Sequence, residues 1–239
     1  MIVSAHQPAY LPWLGFVHKL ACSDIFVIMD DVQFEKNSFT NRNRVLQGDR
    51  EVMLTIPLAM KDHTKKSIRD MKTANLSWQK KHLRTICQSY SRSPYFDVFQ
   101  PFFEELYALQ TDSLVAYCDK CLDAIVAYLG IKTRVIHASG LGIQSRKEAY
   151  IIELTQKLNG DIFIFGTQGK AYADEKKFTA NGIRPYFQSY HHPVYHQGAK
   201  EFHPFMTVFD LFFNVPRSQA MDIIMQGNLG KTDIRNSAT

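Results

Sequence analysis

MIVSAHQPAYLPWLGFVHKLACSDIFVIMDDVQFEKN, residues 1–37, is the stretch on which the fold turns. Met1 to Ala5 is a short apolar run of strand length, and His6 to Trp13 (HQPAYLPW) is too rich in proline and polar groups to extend it. Leu14 to Asp24 regains helical spacing, with Leu14, Val17, Leu20 and Ala21 on one stripe. Ile25 to Met29 is a second apolar run, stopped abruptly by DDVQFEKN (Asp30 to Asn37). Strand, polar loop, helix, strand, polar loop is a βαβ unit. Both loops of such a unit leave the carboxyl ends of parallel strands, where open α/β sheets bind their ligands. Here they carry His6, Gln7, Tyr10, Asp30, Asp31, Gln33, Lys36 and Asn37.

The rest of the chain repeats that logic. Thr133 to Ser139 returns to strand, Gly140 to Gly160 holds a loop and a helix, and Asp161 to Gly166 is another buried strand. Ser145 and Glu148 have capping-box spacing, and Gly160 is placed to stop that helix. Ile183 to Tyr190 is a last strand. The expected fold is therefore α/β: an open, mostly parallel, Rossmann-like sheet. A β-hairpin joins it, with strands over 39–49 and 50–58 that meet at Gly48-Asp49. If the strands run parallel, Gly166, Lys170 and Tyr172 lie at the same sheet edge as His6 and Asp30.

At 239 residues the chain suits one α/β domain, with a helical insertion over 73–130 and a frayed tail over 227–239. Within the insertion, Trp78, His82, Ile86 and Tyr90 keep one helical face, and Gly130 suits a C-cap. The basic stretch 60–72 reads as a mobile linker. An apolar fraction of 45% with 13% aromatics excludes a disordered chain. Lys+Arg 28 against Asp+Glu 23 leaves +5, which suits an anionic small molecule such as a nucleotide or phosphate and is too mild for a dedicated nucleic-acid binder. Homo-oligomerisation stays open. The four cysteines lack paired metal spacing and fit free core thiols. No apolar run reaches the roughly 18 residues that span a bilayer, so no integral membrane segment is expected and the expected location is cytoplasmic.

Residue types nominate the chemistry. His6 directly follows a buried strand and suits a general base, because imidazole titrates near neutrality. Asp30 and Asp31 point to opposite sides of an extended chain, so one is a site carboxylate, able to hold magnesium or a sugar hydroxyl, while the other caps a turn. Lys36, Arg42, Arg44 and Lys170 are the phosphate candidates. Tyr10, Trp13, Tyr172 and Tyr190 offer rings to a base or sugar, and Gln7, Asn37, Gly166 and His192 complete the binding set. His191, His192 and His196 lack a set metal spacing, and no metal ligand is assigned.

HQPAYLPWLGFVHK, DIFVIMDDVQFEKNSFTNRNR, FGTQGKAYAD, FQSYHHPVYHQ, FHPF and FDLFFN together closely resemble the WbqC-like protein family. That resemblance implies a setting in bacterial surface-polysaccharide and O-antigen assembly. ACSDIFVIMDDVQF (Ala21 to Phe34) also looks like the start of pantothenate synthetase, a nucleotidyltransferase-like ligase. The second resemblance implies ATP with magnesium as cofactor, a turn from Pro12 to His18 facing ATP, and Gln33 and Phe34 holding an acyl group. Where such enzymes have a His-x-Gly-His turn, this chain has Leu14-Gly15-Phe16-Val17-His18. The expectation is an enzyme that modifies a nucleotide-linked amino sugar by nucleotide-assisted acyl transfer. A glycosyltransferase and a non-catalytic scaffold of polysaccharide assembly are the alternatives.

Overall fold

A computed structural model describes residues 1–171 and 173–237. Five short strands, β1 (Ile2–His6), β2 (Ile25–Ile28), β5 (Arg134–His137), β6 (Ile162–Phe165) and β7 (Arg184–Phe187), form one wholly parallel sheet in the order β5-β2-β1-β6-β7. The chain builds outward from β1 to β5, then crosses back to place β6 on the other side of β1. That reversal makes the β1/β6 boundary the topological switch point, where ligands bind outside the carboxyl ends of the strands.

Period-2 alternation explains why both faces of the sheet are covered. Val3, Ala5, Val27, Phe163 and Phe165 face one core, against α5 (Lys147–Lys157) and α6 (Glu175–Ala180). Phe26 and Ile28 face the larger core on the other side. That core holds α1 (Leu14–Ala21), α2 (Ser77–Tyr90), α3 (Phe96–Ala108), α4 (Leu114–Leu129), α7 (Val208–Asn214) and α8 (Arg217–Met225), together with the antiparallel hairpin β3 (Arg42–Gln47) and β4 (Arg50–Thr55). All four residues of the Trp78 stripe are buried, and Gly130 closes α4 at φ 66°. Cys22, Cys118 and Cys121 are buried free thiols and Cys87 is a half-buried one.

Several local expectations give way to longer-range contacts. The stretch 60–72 is anchored: Ile68 and Met71 are fully buried, and Ile68 N and Arg69 N donate to the Val32 and Asp30 carbonyls at 2.9 and 2.8 Å. Residues 231–236 form α9 (Lys231–Asn236). Its Ile234 is buried against Ile2 and Ile162, and its Lys231 and Arg235 grip Asp24 at 2.7 and 2.8 Å, which fixes residues 231–236 of the stretch expected to fray, whose last two residues lie outside the described ones. The Ser145/Glu148 capping box does not form, because Glu148 binds Lys177 and Asp174 N instead. Asn159 takes the left-handed turn after α5 at φ 55°, while Gly160 is there for space.

A Cβ on Gly160 would lie 2.6 Å from Val3 Cγ2 and 2.8 Å from Thr155 Cγ2. Gly160→Ala is therefore expected to cost about 1–3 kcal/mol by overpacking β1. Urea unfolding checks this, and an unchanged midpoint would mean that the strand yields freely.

Among the described residues no helix is long and apolar enough to cross a membrane.

Candidate functional site

A cleft of about 740 Å³ opens at the switch point. Its floor is the end of β1 (Ala5, His6, Gln7) beside the turn after β6 (Gly166 to Gly169), and α1 closes it through Gly15, Phe16 and Lys19. The loop after β2 contributes residues 35–40, and Gln188, Tyr190 and Phe205 close the far side. Gly15 lets this wall pack closely: an added Cβ would sit 3.1 Å from Tyr190 Cδ1 and 3.2 Å from Trp13 Nε1, so both rings would have to move by a few tenths of an ångström to admit it.

His6 donates from Nδ1 to the Gln7 carbonyl at 2.8 Å, which leaves Nε2 as an acceptor. Its ring lies edge-on to Trp13 and Phe16, and burial, aided by the nearby Lys19 ammonium, lowers its pKa to about 3. His6 is thus a neutral hydrogen-bond acceptor at pH 7 and a feeble base, contrary to the titrating role expected for it. Gln7 Oε1 accepts from Thr40 Oγ1 at 3.2 Å, which leaves its amide N–H groups for a ligand. The Tyr190 hydroxyl is spent on the Ile224 carbonyl, so Tyr190 offers only its ring.

Of the nominated residues, the structure brings His6, Gln7, Trp13, Lys36, Asn37, Gly166 and Tyr190 to this cleft. Arg42 does not line it. Its guanidinium holds the Asn37 side chain and carbonyl, so it props the loop that carries Lys36. Arg44 pairs with Glu51 across the hairpin at 3.2 Å, and Lys170 lies over the Phe187 ring, 5.9 Å from its centroid. Tyr10 and Phe34 are core residues; the Tyr10 hydroxyl is taken by His82 and Tyr107. His192 packs among Tyr190, Tyr195, Phe202 and Phe205, behind the cleft wall. Tyr172 lies outside the described residues.

The two aspartates go to different places, although β2 ends at Ile28 and strand alternation does not reach them. Asp30 is 4% exposed; it accepts from Ser139 N and Ser139 Oγ at 2.9 and 2.7 Å and pairs with His137 Nδ1 at 3.2 Å. Asp31 accepts from the Tyr150 hydroxyl at 2.6 Å and lines a second cleft of about 1230 Å³ together with Gln33. Met29, Glu35 and Ile151 line both clefts, which therefore lie side by side along the carboxyl edge. Among the described residues no three His, Cys, Asp or Glu side chains gather to hold a metal ion.

Two residues were missed by sequence reasoning. His137 joins Asp30 to Asp119 from the end of β5. Lys19, inside α1, is 3% exposed yet lines the cleft. The available signal was a cation in a short helix flanked by two apolar strands.

The sequence model of the WbqC-like protein family matches residues 7–222 of the chain. The uncharacterized protein Rv1507c of Mycobacterium tuberculosis (strain ATCC 25618 / H37Rv) is 28% identical over 215 residues, covering 89% of this chain and 93% of that protein.

Proposed function

The chain belongs to the WbqC-like protein family, and on that premise we propose that it is an enzyme of surface-glycan biosynthesis that acylates a nucleotide-linked amino sugar to form an amide. Family membership suggests polysaccharide-associated biosynthesis. The observation that supports a sugar-nucleotide ligand is the cleft itself, which pairs ring faces with unspent amide groups at the switch point of a parallel sheet. Trp13 takes the flat face of the base or sugar, Gln7 and Asn37 meet hydroxyls, Lys36 meets the diphosphate from the rim, and His6 Nε2 accepts a hydrogen bond from the ligand. The adjoining cleft gives a second substrate, the acyl donor, a place from which to meet the first.

Asp30 does not fit the part of a magnesium ligand, since both its oxygens are taken by Ser139 and His137. Its part in this reading is to hold the start of the 30–40 loop.

Calorimetric titration with UDP- and dTDP-linked amino sugars tests the proposal. Trp13→Ala is expected to weaken binding about 5- to 150-fold, the equivalent of the ~1–3 kcal/mol that one aromatic stacking partner contributes; because the ring also packs on His6, Phe16 and Phe39, circular dichroism must show the variant folded at the titration temperature. If none of these ligands binds the wild-type protein, and pathway proteins co-purify with it instead, the enzyme reading fails in favour of a scaffold.

A further inference from the structure

Lysine is an expensive choice for the inside of α1. Every residue from Leu14 to Leu20 is enclosed, and Lys19 is 3% exposed. An isolated ammonium in such a place needs a carboxylate or a set of acceptors. Lys19 Nζ donates to the Ala5 carbonyl at 2.9 Å, and no described carboxylate lies within ion-pair distance of it. A leucine or methionine would fill the same space without the desolvation cost, so packing alone does not account for the amine. The side chain also borders the cleft, beside His6 and at the carboxyl end of β1.

We infer that Lys19 is the reactive amine of this cleft and captures an aldehyde or ketone ligand as an imine. The inference uses the cleft described above but does not depend on amide formation. In the step, the neutral amine nitrogen attacks the carbonyl carbon and the carbonyl π pair moves to oxygen. The carbinolamine then expels that oxygen as water with the two amine protons, leaving one C=N bond and no net oxidation. Trp13 and the unspent amides of Gln7 and Asn37 suit a polyhydroxy carbonyl compound of sugar size, such as a keto sugar.

Burial lowers the Lys19 pKa to about 7, so about half of the side chain carries a free lone pair at neutrality. An exposed lysine, with a pKa near 10.4, is neutral to only about one part in 10³ at that pH. The other ionisable groups of the cleft are His6, which stays neutral, Tyr190, whose phenol burial keeps protonated, and Glu35 and Lys36 at the rim. None of them pairs with Lys19.

The test is reductive alkylation of the intact folded protein with glyceraldehyde and sodium cyanoborohydride at pH 7, read by peptide mass spectrometry. Lys19 is expected to gain the adduct at least tenfold faster than any other lysine. Its rate should level off above pH 8, while the surface lysines keep accelerating to pH 10, and the preference should vanish in urea. Lys19→Arg is expected to lose that adduct and no other. Labelling of Lys19 no faster than that of exposed lysines overturns the inference, and the wild-type pattern decides it even where the variant fails to fold. Because the readout is an adduct on one lysine, its failure is separate from a failure to bind nucleotide sugars.

Discussion

Asp210→Ala is expected to cost about 3–5 kcal/mol of stability, the range for breaking a buried charged network by removing one partner. Asp210 is fully buried in α7 and accepts from three donors: the Tyr90 hydroxyl at 2.9 Å, the Tyr195 hydroxyl at 2.8 Å and Gln197 Nε2 at 2.9 Å. Burial raises its pKa against the pull of these bonds. The network ties together the end of α2, the first turn of α7 and the histidine-rich loop; Gln197 in turn binds His203 N and His203 O, two residues before the cleft-lining Phe205. Alanine would leave the two buried phenol hydroxyls without an acceptor and one N–H of the half-buried Gln197 unpaired. At roughly 2–4 °C per kcal/mol for a chain of this size, the midpoint should fall by about 10 °C. Asp210→Asn keeps one carbonyl oxygen and should lose less. Thermal unfolding followed by circular dichroism decides; a fall of under about 2 °C in the alanine variant, less than one kcal/mol would produce, would mean that the donors find other partners.

The sheet was legible because its strands are continuous apolar runs, and runs of that kind are buried on both faces whatever lies around them. A parallel reading put the ends of β1 and β6, and with them His6 and Gly166, at one sheet edge, whereas the order that makes β1 and β6 neighbours is set by the tertiary packing. What could not be read locally was which polar group is spent inside the protein. Tyr10 sits in the same polar loop as Gln7, yet its hydroxyl is claimed by His82 and Tyr107, 72 and 97 residues away. Lys19 was hidden for the opposite reason. The stripe Leu14, Val17, Leu20 predicts a helix with a wet face, whereas α1 is covered on the remaining side by Gln188 and Tyr190. Gly160 and α9 follow suit: a residue's role there is set by a partner far along the chain, Val3 in one case and Asp24 in the other.

Asp30→Asn is expected to lower stability by about 2 kcal/mol between pH 4 and 6.5, with the difference closing towards pH 2. Burial would raise this carboxyl, but hydrogen bonds from His137 and Ser139 outweigh it and bring the pKa from 3.8 to about 2. A depressed folded pKa means that the unfolded chain takes up the proton first as pH falls. The stabilisation is therefore full above about 4 and lost through 2, each tenfold change in proton affinity being worth about 1.36 kcal/mol. His137 has the opposite sign. Hydrogen bonds to Asp119 and Asp30 raise it to about 10 against burial, so its contribution is full below 6.5 and lost as pH climbs through 10. Its rise exceeds the fall at Asp30 because it serves two carboxylates, at 3.2 and 3.4 Å. Urea unfolding of wild type, Asp30→Asn and His137→Gln at pH 3, 5, 7 and 9.5 should show the Asp30 difference shrinking on the acid side and the His137 difference shrinking on the alkaline side. Differences that stay constant with pH would mean that neither group is charged in the pair. Because the pair anchors the loop from outside the switch-point cleft, Asp30→Asn should also bind ligand more tightly than Trp13→Ala does, which separates an anchoring carboxylate from one that touches substrate.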